Sequence, residues 1–170
     1  VKDVLALSAA FLSAKGIATA RLDAERLIGS VLGLDRLELY LHHDRPVTPD
    51  ELDGIRPLLR RRADLEPVAY ILGTVGFHHV VLKCDARALM PRSETETLVE
   101  VALANLPDRG TLLDVGTGAG AIAVAVKHDR PDVHVTAVEL SPNALALARE
   151  NAEFVGVEIN FIESDLLAAV

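Results

Sequence analysis

Apolar residues recur at helical spacing through the first 75 positions of the chain. One stripe covers residues 4–12 and stops near Gly16, and a second covers residues 27–32 and stops at Gly33. Glycine is common just after a helix, so both stripes predict amphipathic helices with defined ends. Residues 35–42 predict a third, shorter helix.

A fourth helix is predicted to begin with a capping box. Thr48 can cap it, Pro49 suits the first helical position, and Glu51 completes the box. Pro57 lacks the N–H that a helix interior needs, so we expect it to kink or break this helix. The run Arg60–Arg62 is expected to be a solvated helix end, with a nucleic-acid contact as the alternative.

From residue 76 the pattern changes to extended segments. Residues 77–83 and 88–90 are predicted to be strands that form a β-hairpin. Ser93 and Glu96 have the spacing of a capping box and predict the start of another helix. The predicted organisation is a helical domain in residues 1–75, a β-hairpin linker in 76–92 and a third part in 93–170.

Residues 111–162 alternate short apolar segments with helix-like ones. Ser141 and Pro142 have the residue types of an N-cap and a first helical position. Strands separated by helices of roughly ten residues are typical of a parallel sheet covered on both faces. We therefore predict an α/β fold whose last part is an incomplete Rossmann-like domain. Its predicted strands are 111–115, 133–138 and 159–162, and its predicted helices are 120–128 and 142–154.

A glycine-rich turn joins the first of these strands to its helix. The turn contains Gly116, Thr117, Gly118, Ala119 and Gly120. Glycine permits positive φ and carries no Cβ, so a ligand can lie directly on the backbone. In α/β folds this bend lies at the carboxyl ends of the strands, where ligands bind. The turn is therefore predicted to bind a nucleotide-like cofactor.

Two acids at strand ends indicate which cofactor. Asp114 comes just before the turn, where its charge would disfavour a pyrophosphate but suits the cationic S-adenosylmethionine. Glu139 ends the second strand, where it can accept hydrogen bonds from ribose hydroxyls, as NAD sites also require. Asp165 follows the third strand and can either accept a hydrogen bond from an adenine amino group or, with Ser164, cap a following helix. S-adenosylmethionine is the predicted cofactor and NAD the alternative.

Composition excludes several function classes. Residues 1–75 hold 10 basic and 11 acidic side chains against 7 and 14 in residues 76–170, so we do not expect nucleic acid as a direct substrate. No membrane span is expected, and the single Cys84, predicted to be buried and inert, favours the cytoplasm. The pairs His42–His43 and His78–His79 are expected to diverge with no completing acid, so no metal site is predicted.

The order of motifs resembles the release-factor glutamine N5-methyltransferases, the HemK/PrmC family. The similar segments are Glu66–Gly73, Phe77, Met90–Glu96 and the glycine turn, in the family's order. The resemblance implies an S-adenosylmethionine-dependent enzyme that methylates the glutamine amide of the Gly-Gly-Gln motif in peptide-chain release factors. It also implies that the N-terminal helices help to hold the release factor, and that Leu166 lies against the adenine.

The sequence departs from this family in two places. Ser93 stands where the family usually has proline, and the catalytic Asn-Pro-Pro-Tyr motif does not occur in the 170 residues. The catalytic residues are therefore unknown. The chain is expected to be the first part of a longer protein, and the 170 residues by themselves are expected to transfer no methyl group. An NAD-dependent oxidoreductase, a non-catalytic binding module and a methyltransferase with another substrate remain as alternatives.

Overall fold

The structure, a computed structural model, describes all residues from Val1 to Val170. The chain divides into two compact units, Val1–Leu72 and Gly73–Val170. No helix in it combines the length and the apolar composition that a bilayer span requires. Each unit has its own apolar core.

The first unit consists of five helices, four of which pack around the second. The helices are α1 (Lys2–Ala14), α2 (Ala20–Leu32), α3 (Arg36–Leu41), α4 (Pro49–Ala63) and α5 (Val68–Leu72). The other four helices all contact α2, whose Leu27 and Ile28 are fully buried. The four predicted helices and the left-handed Gly33 after α2 are confirmed. The helix α5 was not predicted, because five residues are too few to show a periodicity.

The helix α4 shows where the sequence pattern was right and where it was wrong. Its capping box forms as predicted, with Thr48 Oγ1 accepting from Glu51 N and Glu51 Oε2 accepting from Thr48 N. Of the predicted kink or break at Pro57, the break is wrong, because α4 continues through Pro57 to Ala63. Ile55 and Leu59, on either side of Pro57, are both buried and anchor the two halves of the helix in the core.

The arginine run at the end of α4 is only partly solvated. Arg62 Nε donates to Asp23 Oδ2 at 2.8 Å, and Arg61 forms an ion pair with Glu66. Arg60 is exposed. Arg61 and Arg62 therefore form ion pairs within the helical unit. Only Arg60 matches the expected solvated helix end.

The second unit begins with a two-stranded antiparallel hairpin. Its strands are β1 (Thr74–Phe77) and β2 (Val80–Lys83), joined by the turn His78–His79. A hairpin is confirmed, but the single strand predicted over residues 77–83 is wrong because the turn lies inside it. Residues 88–90 are not a strand either.

The segment after the hairpin leads into α6 (Glu96–Asn105) through a 3₁₀ turn over Ser93–Thr95. The capping box predicted for Ser93 and Glu96 does not form. Residues 93–95 are themselves in the 3₁₀ turn, and no side chain caps α6. The helix α6 therefore begins at Glu96, two residues after the start that a Ser93 cap would give.

Three parallel strands follow, each paired with the next one along the chain, which confirms the predicted α/β fold. The elements are β3 (Thr111–Val115), α7 (Ala121–Asp129), β4 (His134–Glu139), α8 (Pro142–Val155) and β5 (Asn160–Glu163). Ser141 caps α8 as predicted. The sheet was expected to be covered by helices on both faces, and this is only partly so. Leu113 and Val115 in β3 remain 40% and 41% exposed.

Candidate functional site

The glycine-rich turn between β3 and α7 is left-handed at three positions. Gly116, Gly118 and Gly120 have φ values of 74°, 56° and 81°, which only glycine adopts without strain. A Cβ added to Gly116 or to Gly118 would have no heavy atom within 4 Å. The backbone of the turn is therefore open to a ligand at these two positions.

Gly120 has a different role from the other two glycines. It is the N-cap of α7, and an added Cβ would lie 3.0 Å from the Cβ of Ala148 in α8. The absence of a side chain at this position lets α7 and α8 pack closely. The sequence pattern does not separate this packing glycine from the two open ones.

The Asp114 carboxylate lies against the start of α7. Its Oδ2 accepts from Thr117 Oγ1 at 2.6 Å and from Ala123 N at 3.3 Å, and no protein group donates to Oδ1. Burial raises the pKa of Asp114, the two hydrogen bonds oppose that effect, and the nearby negative charge of Glu139 adds to it. A partly desolvated carboxylate with one free oxygen is well suited to a cationic ligand group.

Glu139, at the end of β4, connects the glycine turn to the start of α8. Its Oε2 accepts from Gly118 N at 2.9 Å, and its Oε1 accepts from Ser141 N at 3.0 Å. Each carboxylate oxygen can accept a second hydrogen bond, so the same side chain can hold the turn and still accept from a hydroxyl group.

A cleft of about 200 Å³ lies over the glycine turn. It brings Asp114 and the turn together with the segment around Pro91 that carries the family resemblance. Arg92 supplies the positive charge in this lining, which the sequence interpretation missed. The lining residues are Leu89, Met90, Pro91, Arg92, Thr95, Asp114, Gly116, Thr117, Gly118, Ala119, Ala121 and Ile122.

Asp165 and Leu166 lie outside the lining of this cleft. They follow β5, and the preceding Ser164 donates its N–H to the Glu139 carbonyl, so they are at the same end of the sheet. Leu166 is exposed with φ 50°, and the Asp165 side chain makes no hydrogen bond. No helix follows. Of the two residues expected as a possible helix cap, only Ser164 accepts a backbone hydrogen bond, and its Oγ does so from Ala169 N in a turn.

Asn151 supports the glycine turn from α8 and was not identified from the sequence. It is fully buried; its Oδ1 accepts from Lys83 N at 2.6 Å, and its Nδ2 donates to Ala119 O at 2.9 Å and to Lys83 O at 3.2 Å. One amide therefore joins the end of β2 to the turn. An asparagine within an otherwise apolar helical stripe was the only signal in the sequence.

The histidine pair at 78 and 79 contradicts the sequence expectation. The two side chains do not diverge, because they occupy a hairpin turn in which His78 has φ 50°. Their ring centroids are 4.0 Å apart, and Asp129 at the end of α7 lies beside both. The expectation that no acid completes this pair is wrong, since the acid comes from about 50 positions further along the chain.

Two family models match the chain one after the other. The PrmC N-terminal domain matches residues 3–73, and the methyltransferase small domain matches residues 93–170. The first falls on the helical unit and the second on the part that contains the glycine turn. Together they reproduce the order of segments from which the sequence resemblance was drawn.

Curated relatives named release factor glutamine methyltransferase match nearly the whole chain. The protein of Geobacter sulfurreducens is 42% identical over 98% of this chain and 58% of its own length. That of Chlorobaculum tepidum is 43% identical over 99% and 60%, and that of Escherichia coli is 38% identical over 88% and 55%. The chain thus spans between half and two thirds of these relatives, and the matches do not favour the oxidoreductase or the non-catalytic module.

Proposed function

We propose that the whole protein is a release factor glutamine methyltransferase and methylates a peptide-chain release factor, because two family models match the chain in succession and relatives of that name match nearly all of it. The acceptor is the side-chain amide of the glutamine in the Gly-Gly-Gln motif, and the methyl donor is S-adenosylmethionine. The helical domain, residues 1–75 in the sequence-based division, helps to hold the release factor. The reaction takes place in the cytoplasm and serves translation termination.

The observation that carries this proposal is the desolvated Asp114 carboxylate beside an open glycine backbone. S-adenosylmethionine supplies an electrophilic methyl group on a positively charged sulfonium, and it carries an ammonium group besides. A carboxylate with one free oxygen stabilises such cations, whereas it would repel a pyrophosphate lying on the same turn.

Other residues of the site have matching roles in the proposal. Gly116 and Gly118 let the cofactor approach the backbone, and Glu139 accepts from its ribose hydroxyls while holding the turn. Arg92 pairs with the carboxylate of the methionine moiety. Asp165 and Leu166, at the same end of the sheet, contact the adenine.

The target amide is a poor nucleophile, so methyl transfer to it depends on positioning and on exclusion of water. The Asn-Pro-Pro-Tyr motif does not occur in these 170 residues, and the carboxylate that lines the cleft, Asp114, is assigned to the cofactor. In this proposal the described residues contribute cofactor binding, and no catalytic role is assigned to any of them.

Titration of the full-length protein with S-adenosylmethionine and with NAD tests the proposal. We expect binding of the first only, and Asp114→Asn should weaken it about 10- to 100-fold, since a charge-assisted hydrogen bond contributes about 1.5–3 kcal/mol. Asp108→Asn is the matched control, because Asp108 is fully exposed and outside the cleft.

Methylation of a release factor, and its absence with the Gln→Ala release factor, completes the test. Preferential binding of NAD would exclude the proposed cofactor. Equal affinities of the Asp114→Asn and Asp108→Asn proteins for S-adenosylmethionine would remove the observation on which the proposal rests.

A further inference from the structure

Three imidazole rings surround the Asp129 carboxylate. This carboxylate lies at the C-terminal end of α7, and the glycine turn lies at the other end. His79 Nδ1 lies 2.8 Å from Asp129 Oδ2, and His78 Nδ1 lies 3.4 Å from the same oxygen. His128 Nδ1 lies 2.9 Å from the other oxygen, Oδ1. The hairpin turn and the helix end thus bring together side chains that both bind protons and bind metals.

Within this cluster, the side chain of His78 is the one whose hydrogen bonding the protein does not satisfy. Its side chain is only 9% exposed, and its buried Nδ1 has no hydrogen-bond partner. Buried polar atoms are almost always satisfied, since leaving one unpaired costs free energy. The unpaired nitrogen is directed at Asp129, where His79 Nδ1 also lies.

The spacing of these atoms matches that of metal ligands. The ligand atoms of His78, His79 and Asp129 all lie within 4.8 Å of one another. Zinc in tetrahedral sites binds nitrogen and oxygen at about 2.0–2.2 Å, which places neighbouring ligand atoms roughly 3.3 Å apart. The separations of 2.8 and 3.4 Å from Asp129 Oδ2 are within about half an ångström of that value.

We propose that His78, His79 and Asp129 form a binding site for a zinc-like divalent transition-metal ion. His128 does not need to be a ligand, because its hydrogen bond to Oδ1 fixes the orientation of the carboxylate. Two imidazoles and one carboxylate suit zinc, and they do not suit magnesium or calcium, which prefer oxygen ligands.

The position of the site indicates a structural role. The nine residues of α7 separate it from the glycine turn by roughly 13 Å, at 1.5 Å per residue. The ion would connect the β1–β2 turn to the end of α7, two places that are far apart in the sequence. It would therefore hold the hairpin on the parallel-sheet part of the same unit, without contacting the proposed cofactor.

Zinc titration of the full chain in competition with a chromophoric chelator tests the site. We expect one high-affinity zinc per chain, and at least a tenfold loss of affinity in His79→Gln and in Asp129→Asn. The matched control is His43→Gln, since His42–His43 is also an adjacent pair next to an acid, Asp44, but is exposed. Zinc should raise the melting temperature of the wild-type and control proteins but not of the ligand variants, and magnesium should raise none of them.

Circular dichroism in the presence of chelator establishes that each variant is folded. If Asp129→Asn does not fold, His79→Gln decides, because His79 is 67% exposed and its loss removes little packing. The proposal is wrong if zinc affinity is the same in His79→Gln and wild type, or if His43→Gln loses binding instead. Absence of stoichiometric zinc binding to the wild-type chain would equally exclude it.

Discussion

Replacing Gly120 with alanine should destabilise the protein by about 2–5 kcal/mol. The φ of 81° costs a residue with a Cβ about 1–2 kcal/mol. The new Cβ would also lie 3.0 Å from the Cβ and 3.2 Å from the Cα of Ala148. These atoms belong to the backbone and first side-chain carbon of α8, which cannot rotate away, so overpacking adds about 1–3 kcal/mol.

Gly116→Ala is the matched control for this prediction. Its φ of 74° carries the same conformational cost of about 1–2 kcal/mol, but an added Cβ has no heavy atom within 4 Å. The free energies of unfolding of the two variants should therefore differ by about 1–3 kcal/mol, the overpacking contribution alone. Urea denaturation followed by circular dichroism measures both values on the same chain.

Gly116→Ala should weaken cofactor binding more than Gly120→Ala does, which is the reverse of their order in lost stability. The Cβ at position 116 would project into the open space where the ligand is proposed to lie, whereas the Cβ at position 120 projects toward α8. Equal losses of stability in the two variants, or a larger loss in Gly116→Ala, would show that Gly120 is not a packing glycine.

Three further changes test other parts of the second unit. Asn151→Ala should cost about 2–5 kcal/mol in urea denaturation, because Lys83 N and Ala119 O lose a buried partner; a loss below about 1 kcal/mol would contradict this. The raised pKa of Asp114 means that the folded state keeps this proton longer than the unfolded state, so the contribution of Asp114 to stability should fall as pH rises above about 3.9, against the opposite contribution of carboxyl groups with a lowered pKa such as Asp132. Asp114→Asn should remove this fall, and an unchanged pH profile of the unfolding free energy would be evidence against it. Burial, together with the Asp85 charge, raises the pKa of Cys84 to about 11, so a thiol reagent at pH 8 should label it only after unfolding; rapid labelling of the folded chain would show that it is accessible.

Local signals predicted the elements whose ends are determined by neighbouring residues. The capping residues Thr48 and Ser141 and the glycine after α2 all function as the sequence indicated. The hairpin was misplaced because its turn, His78–His79, contains none of the glycine or asparagine residues that mark such turns. A positive φ at a histidine depends on surrounding contacts and leaves no trace in the local sequence.

Several residues of the candidate site were proposed from the sequence, but their contacts were not. Asp114, Glu139 and the glycines are brought together because the carboxyl ends of parallel strands meet at one edge. Arg92, Asn151 and Asp129 were missed since each acts on a part of the chain distant in sequence, and no local pattern records such pairings.

The buried amide of Asn151 makes the hairpin depend on a helix that follows it by 68 residues. The Lys83 N–H is bonded to this side chain, so we expect its hydrogen to exchange with solvent only when the contact with α8 opens. Loss of this amide would leave the end of β2 and the glycine turn without the side chain that joins them. We therefore expect the end of the hairpin, α8 and the glycine turn to open together, and the exchange rate of the Lys83 amide hydrogen to report that opening.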